Sequence, residues 1–384
     1  MAHPPQRLGV VGAGTMGAGI AQVGVLAGMD TVLHDPVPEA LSRGAEAVME
    51  NLAKGAERGR WSTAEAEAAR ARLTPSGELG GLTGCELVIE AAPERAELKR
   101  ELFAALSELL EDPAAIIASN TSSIPITALA GGAQRPENVV GMHFFNPAPL
   151  MGLVEVIPAA QSSERTVALA EAAGVAMGKH TILAQDGPGF IVNRCGRPFY
   201  TEALRLLQER VATHDQIDRI CRMAGGFPMG PFELMDLVGI DVGFEVAKSF
   251  TELSFGEPRW RPNPIQARMV SAGWLGRKTG RGYYFYTGGA HRPEDPEPLA
   301  STARPESVAA LREAAGGIEL YAVEPLGSLV EVPGERDPAI EERLAPLGFH
   351  VEWVRRAPAG VLGRIVAQLV NEACFALGEG VASA

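Results

Sequence analysis

Residues 8–17 read Leu-Gly-Val-Val-Gly12-Ala-Gly14-Thr15-Met16-Gly17: a short apolar strand, three spaced glycines, then the opening of an apolar helix. Few folds accept that order. Gly12 permits a tight turn, Gly14 lets the backbone approach a pyrophosphate, and Gly17 lets helix and strand pack closely. Free N–H groups at the helix start then face the phosphates. Thr15 and Met16 belong to the same cofactor-binding turn. The second strand, TVLHD (31–35), ends in Asp35, whose carboxylate accepts hydrogen bonds from ribose hydroxyls and repels a 2′-phosphate. No arginine follows it (Asp35-Pro36-Val37), which favours NAD over NADP. A structural glycine turn beside a surface aspartate is the plainer account, and strand, turn, helix and acid together argue against it.

The alternation continues. LGVV (8–11), TVLHD (31–35), ELVIE (86–90) and AIIA (115–118) read as buried parallel strands. Between them lie helices at 17–28, from Pro38 to about Arg60, and at 94–110. The last has Leu98, Leu102, Leu106 and Leu109 on one face. This is a Rossmann-type, doubly wound α/β domain over residues 1–185. Residues 186–287 read as an all-α domain closed by the aromatic GYYFY. Residues 288–384 hold a Pro/Glu/Gly-rich linker and a small αβ segment (316–356). They end in an internal repeat, in which residues 188–213 recur without gaps at 358–383. Pro188, Arg194, Glu202 and Glu209 recur as Pro358, Arg364, Glu372 and Glu379, whereas Asn193 becomes Gly363. The second copy holds only a first helix, so no second active site is expected there. That helix must pack on its own helical domain or on another subunit.

Composition excludes several classes. The net charge of −13 opposes nucleic acid and anionic lipid as partners. Four scattered cysteines, none in a CxxC pair, favour reduced thiols over a disulfide framework or a zinc site, so no metal is expected. The N-terminus lacks a signal-peptide pattern and no apolar run reaches membrane-spanning length, which leads to a soluble, cytoplasmic expectation.

A second constellation is His143-Phe-Phe-Asn146-Pro, followed by Leu153-Val-Glu155-Val-Ile. Both stretches read as strands, and a short connection would set them side by side. A Glu beside a His fixes its tautomer and stabilises the imidazolium, making it a better base. Removing hydride from a secondary alcohol needs a base for the hydroxyl proton. An ordinary half-buried histidine fits these residues equally well.

SNTSS (119–123), HFFNP (143–147), LVEVI (153–157), DGPGFIVNR (186–194), GGFPMGPFELMDLVGID (225–241) and GRKTGRGYYFY (276–286) together resemble the 3-hydroxyacyl-CoA dehydrogenases. The resemblance covers about residues 7–287. It implies NAD-dependent oxidation of a short (S)-3-hydroxyacyl-CoA, as in fatty acid β-oxidation, and a homodimer. It makes His143, Glu155, Ser122 and Asn193 catalytic, with Ser122 and Asn193 also touching substrate. It places Ser122, Asn146, Glu94, Lys99 and Lys278 with the glycine turn around NAD. Lys54, Arg58 and Arg60 are candidates for the CoA phosphates, and a solvated basic helix end accounts for them as well. Taken singly, each of these has a bland reading: Ser122 as a helix cap, Glu94 and Lys99 as exposed helix charges. Two other functions stay open, a gulonate-type sugar-acid dehydrogenase of the same fold and a non-catalytic NAD-binding protein.

Overall fold

The computed structural model describes residues 3–382. The chain separates into two compact units. One runs to Ile191 and includes the residues from Gly380; the other is Val192–Glu379. Residues 288–379 thus fall in the same unit as the helices before them. Leu329, Val354, Val361, Leu362 and Ile365 join the core of those helices, while Leu311, Leu320, Val330, Leu344 and Phe349 form a core of their own.

The first unit is built on β1 (Arg7–Val11), β2 (Asp30–His34), β3 (Leu73–Ser76), β4 (Leu87–Glu90), β5 (Ile116–Ser119), β6 (Val139–Phe144), β7 (Leu153–Pro158) and β8 (His180–Leu183). They form one sheet in the order β3-β2-β1-β4-β5-β6-β7-β8. The strands from β3 to β6 run parallel, β7 turns antiparallel to β6, and β8 follows β7 in parallel. Helices α1 (Thr15–Leu26), α2 (Pro38–Glu57), α3 (Thr63–Ala71), α4 (Ala96–Leu109), α5 (Ile126–Ala130) and α6 (Glu164–Ala176) connect them. β4 and β5 are buried along their whole length, as strands covered on both faces should be.

Two details differ from the sequence pattern. The buried stripe of α4 is Lys99, Phe103 and Leu106, with Leu98, Leu102 and Leu109 only partly covered. A lysine lies in that stripe because carboxylates meet it there, as described below. Second, α2 stops at Glu57, and Gly59 takes a left-handed φ of 68°.

The second unit opens with α7 (Val192–Gln208), α8 (His214–Met223), α9 (Pro231–Val238), α10 (Ile240–Leu253) and α11 (Pro264–Ser271). The GYYFY segment is bound through Asp236, which accepts N–H groups from Tyr283 and Tyr284 at 3.0 Å each and the Tyr286 hydroxyl. Then come α12 (Val308–Ala314), β9 (Leu329–Pro333), α13 (Pro338–Leu344), β10 (His350–Val354) and α14 (Gly360–Gly378). β9 and β10 form a two-stranded parallel sheet. α14 is the one helix among the described residues long and apolar enough to cross a membrane. Here it lies on α7 with Arg364 and Glu372 in ion pairs.

Candidate active site

The glycine turn has the geometry its spacing implies. Gly12 has φ 98°, and a Cβ there would meet the Ala91 carbonyl oxygen at 2.6 Å. A Cβ on Gly17 would fall 1.7 Å from the Gly12 carbonyl oxygen, so helix and turn touch only because that residue is glycine. At Gly14 a Cβ would meet nothing within 4 Å. This glycine faces open space, the side from which a ligand approaches. It is the N-cap of α1 and no side chain caps the helix. An uncapped helix start beside an open glycine fits a pyrophosphate. Asp35 closes the turn from β2: its two oxygens accept the Ala13 and Val37 N–H groups, each at 2.9 Å.

Glu90, at the end of β4, organises a buried polar group that motif reading missed. Lys99 and Glu90 are 1% and 0% exposed. The Lys99 ammonium lies 2.9 Å from Glu90 Oε1 and 2.9 Å from Glu94 Oε2. Ser119 donates to Glu90 Oε2 at 2.6 Å. Glu94 Oε1 in turn accepts the Thr121 hydroxyl at 2.5 Å, the Ser122 N–H at 3.1 Å and both N–H and hydroxyl of Ser123. Burial alone would raise the Glu94 carboxyl, but Lys99 and these donors outweigh it and hold it below the usual range. Lys99 is therefore not an exposed helix charge. Its charge is spent on two carboxylates, and the pair shapes the loop that carries Ser122.

β6 and β7 bring the candidate base together. Antiparallel register sets His143 directly opposite Glu155. His143 Nδ1 lies 2.7 Å from Glu155 Oε2, and Nε2 lies 2.9 Å from Ser122 Oγ. A carboxylate only accepts, so Nδ1 carries the proton, and Nε2 of the neutral ring accepts from the Ser122 hydroxyl. His143 is 3% exposed and Glu155 fully buried. The other Glu155 oxygen accepts the Ile191 N–H at 2.8 Å. Phe145 and Phe190 meet the imidazole edge-on, with centroids 4.6 and 5.6 Å away. Ser122 does not cap the helix after it: Asp186, from DGPGF, takes the first N–H groups of α5 at Ile126 and Thr127.

The remaining candidates fall in three places. Asn146 is exposed beyond β6. Lys54, Arg58 and Arg60 line a cavity of about 380 Å³ together with Thr15, Gly19 and Pro147, next to the glycine turn. Lys54 also pairs with Glu50 at 2.9 Å. Asn193 and Lys278 belong to the second unit: Asn193 stands in the first turn of α7, and Lys278 is ion-paired to Asp241 at 2.6 Å.

Comparison with known proteins shows the family. Residues 7–187 match the model of the 3-hydroxyacyl-CoA dehydrogenase NAD binding domain, and residues 189–286 match that of the C-terminal domain of the same family. The chain belongs to the 3-hydroxyacyl-CoA dehydrogenase family of oxidoreductases. It is 36% identical to the 3-hydroxyadipyl-CoA dehydrogenase of Escherichia coli K12 over 98% of this chain and 86% of that one. It is 41% identical to a probable 3-hydroxybutyryl-CoA dehydrogenase of Deinococcus radiodurans, over 73% of this chain and all of the relative. A crystal structure of 3-hydroxybutyryl-CoA dehydrogenase from E. coli K12 superposes with a TM-score of 0.87 at 35% identity, covering 99% of this chain and 86% of that chain.

Proposed function

We propose that the chain uses NAD to interconvert the 3-hydroxyl and 3-keto forms of a short (S)-3-hydroxyacyl-CoA, with His143 and Glu155 as the base pair. The observation that carries this reading is the relay Ser122–His143–Glu155, whose last two members are buried. NAD held on the Gly12–Gly17 turn, with Asp35 toward the ribose hydroxyls, supplies the hydride acceptor. His143 Nε2 takes the proton of the C3 hydroxyl, and Glu155 stabilises the imidazolium that forms. Ser122 orients the C3 oxygen, and the family resemblance gives Asn193 a catalytic role as well. Glu94 and Lys99 act one step back by fixing the Ser122 loop. Such pre-set alignment is worth several kcal/mol of barrier, on the order of 7 or more in favourable cases. Lys54 and Arg58 line the cleft suited to the CoA phosphates.

The test is NADH oxidation with 3-ketoacyl-CoAs of different length and end-group, including acetoacetyl-CoA and a dicarboxylic analogue. NADPH should be a poor substitute. Turnover of free gulonate without any on CoA thioesters would move the chain to the sugar-acid dehydrogenases. NADH binding without turnover on either would make it a non-catalytic binding protein.

A further inference from the structure

The helical unit holds its covered arginines between carboxylates. Arg194 of α7 is 2% exposed and binds Glu372 and Glu379, each at 2.7 Å. Arg222 of α8 meets Glu233 and Asp295, and Arg364 of α14 meets Glu202 and Glu209. Arg197, also on α7, breaks the rule. It is 8% exposed, and among the described residues no carboxylate pairs with it and no group accepts a hydrogen bond from it. Its Nε is buried without a partner.

A guanidinium in that position is costly. Burial pushes it below the usual arginine range, and a buried cation with no counter-charge destabilises a fold strongly. Its neighbours are aromatic. The Phe250 ring centroid lies 4.9 Å from Arg197 Cζ, and that of Tyr200 5.7 Å. Ring faces attract a cation, but they leave its N–H fork without oxygen acceptors. The Tyr200 hydroxyl has no hydrogen-bond partner among the described residues either. Burial raises it, so it stays protonated and remains a donor. Two neighbouring donors therefore stand without an acceptor. A carboxylate matches them: an arginine fork binds its two oxygens together, and apolar walls keep water from competing.

The place of Arg197 on α7 says which carboxylate. Asn193, Arg197 and Tyr200 fall at i, i+4 and i+7 and so share one face of the helix. Asn193 is the residue of α7 that the family resemblance sets against the substrate. Arg197 stands one turn further on, about 6 Å along the axis, a span that a few methylene groups cover. An acyl chain held at its C3 end by Asn193 would bring its far end to Arg197. A methyl end would leave the cation unpaired and bury it further. A carboxylate end would complete it, as two carboxylates complete Arg194.

We propose that Arg197, with Tyr200, binds a carboxylate at the far end of the acyl chain, so that the preferred substrate is a dicarboxylic 3-hydroxyacyl-CoA and not one ending in a methyl group. This rests on the dehydrogenase reading above and narrows it. The test compares kcat/KM with NADH on 3-ketoadipyl-CoA and 3-ketohexanoyl-CoA, which have the same length and differ only in the end-group. Wild type should favour the carboxylate by about tenfold or more. Arg197→Met should cost about thirtyfold or more on 3-ketoadipyl-CoA and far less on 3-ketohexanoyl-CoA, bringing the two rates together. The loss should lie chiefly in KM, because a group remote from C3 is held alike in ground and transition states. Arg197→Lys, which keeps the charge, should retain part of the preference. Without ligand the methionine variant should melt at or above wild type, since it removes an unpaired buried charge. Equal wild-type rates on the two thioesters overturn the proposal and leave the dehydrogenase reading standing. So does a methionine variant that loses both substrates alike or melts well below wild type, which would make Arg197 a structural brace. A wild type inactive on every CoA thioester sinks the dehydrogenase reading itself, and this proposal with it.

Discussion

The two strand–helix–strand–helix segments, β7 to α7 and β9 to α14, share register and a buried glutamate, yet only in the first does that glutamate face a histidine. The strand pair is therefore not what makes a site. In the first copy Glu155 meets an imidazole whose far nitrogen reaches Ser122, on a loop held by Glu94, Lys99 and Glu90. In the second copy Glu331 spends both oxygens on the start of α14. The proposed function gives the carboxylate proton chemistry in one setting, and in the other it caps a helix.

The widest separation between the copies should come from their central rings. His143→Ala is expected to lower turnover of acetoacetyl-CoA with NADH by at least about a hundredfold while leaving NADH binding nearly intact. Tyr321→Phe should leave turnover within about twofold of wild type: Tyr321 lies opposite Glu331, and a Cβ on Gly360 would come 2.7 Å from its ring, so its surroundings admit no substrate. A near-wild-type rate for His143→Ala would remove the base from the mechanism. Next come the glutamates. Glu155→Gln removes the charge that stabilises the imidazolium and should cost about tenfold or more in turnover. Glu331→Gln should change melting and not turnover. If Glu331→Gln reduced turnover as much as Glu155→Gln, the second copy would have to be given a catalytic role.

The Ser122 loop beside the first segment also rests on a buried ion network, and among the described residues the second segment has no such network. Lys99→Met would strand Glu90 in the interior and free the Ser122 loop. Losing one partner of a buried pair costs about 3–5 kcal/mol, which a denaturation curve would register directly. A loss under about 1 kcal/mol would mean the network is better solvated than its burial implies.

Much of this was legible in the sequence, for physical reasons. The glycine turn is readable because each glycine answers a different steric demand at fixed spacing. The His143–Glu155 pair is readable because a short connection between two strands forces antiparallel register. Lys99 was harder. Its neighbours Leu98 and Leu102 suggest the apolar face, and only the position of Glu90 in the sheet shows that a lysine belongs inside. The helix repeat was visible as matched Arg and Glu. Its extension back through β9 and β10 was carried only by LVEVI against LVEVP and by Gly-Lys-His against Gly-Phe-His, too short to register before the strands were paired. No sequence signal indicated that Glu331 would cap α14, since capping depends on where the helix begins in space.

The smallest effect separating the copies should be a pH dependence of stability. Burial, chiefly, pushes the Glu331 carboxyl up to about 7, against the two N–H donors of Val361 and Leu362 and with help from the Glu352 charge. The folded protein therefore holds this proton more tightly than the unfolded chain. The group's contribution is complete below about pH 4.5, declines as pH rises, and is lost above about pH 7. By linkage that is on the order of 3 kcal/mol. Glu331→Gln cannot ionise, so its melting temperature should gain on wild type between pH 5 and pH 8, by several degrees at most. The opposite slope, with the variant losing ground as pH rises, would mean that the start of α14 holds a charged carboxylate and that helix capping outweighs burial at this site.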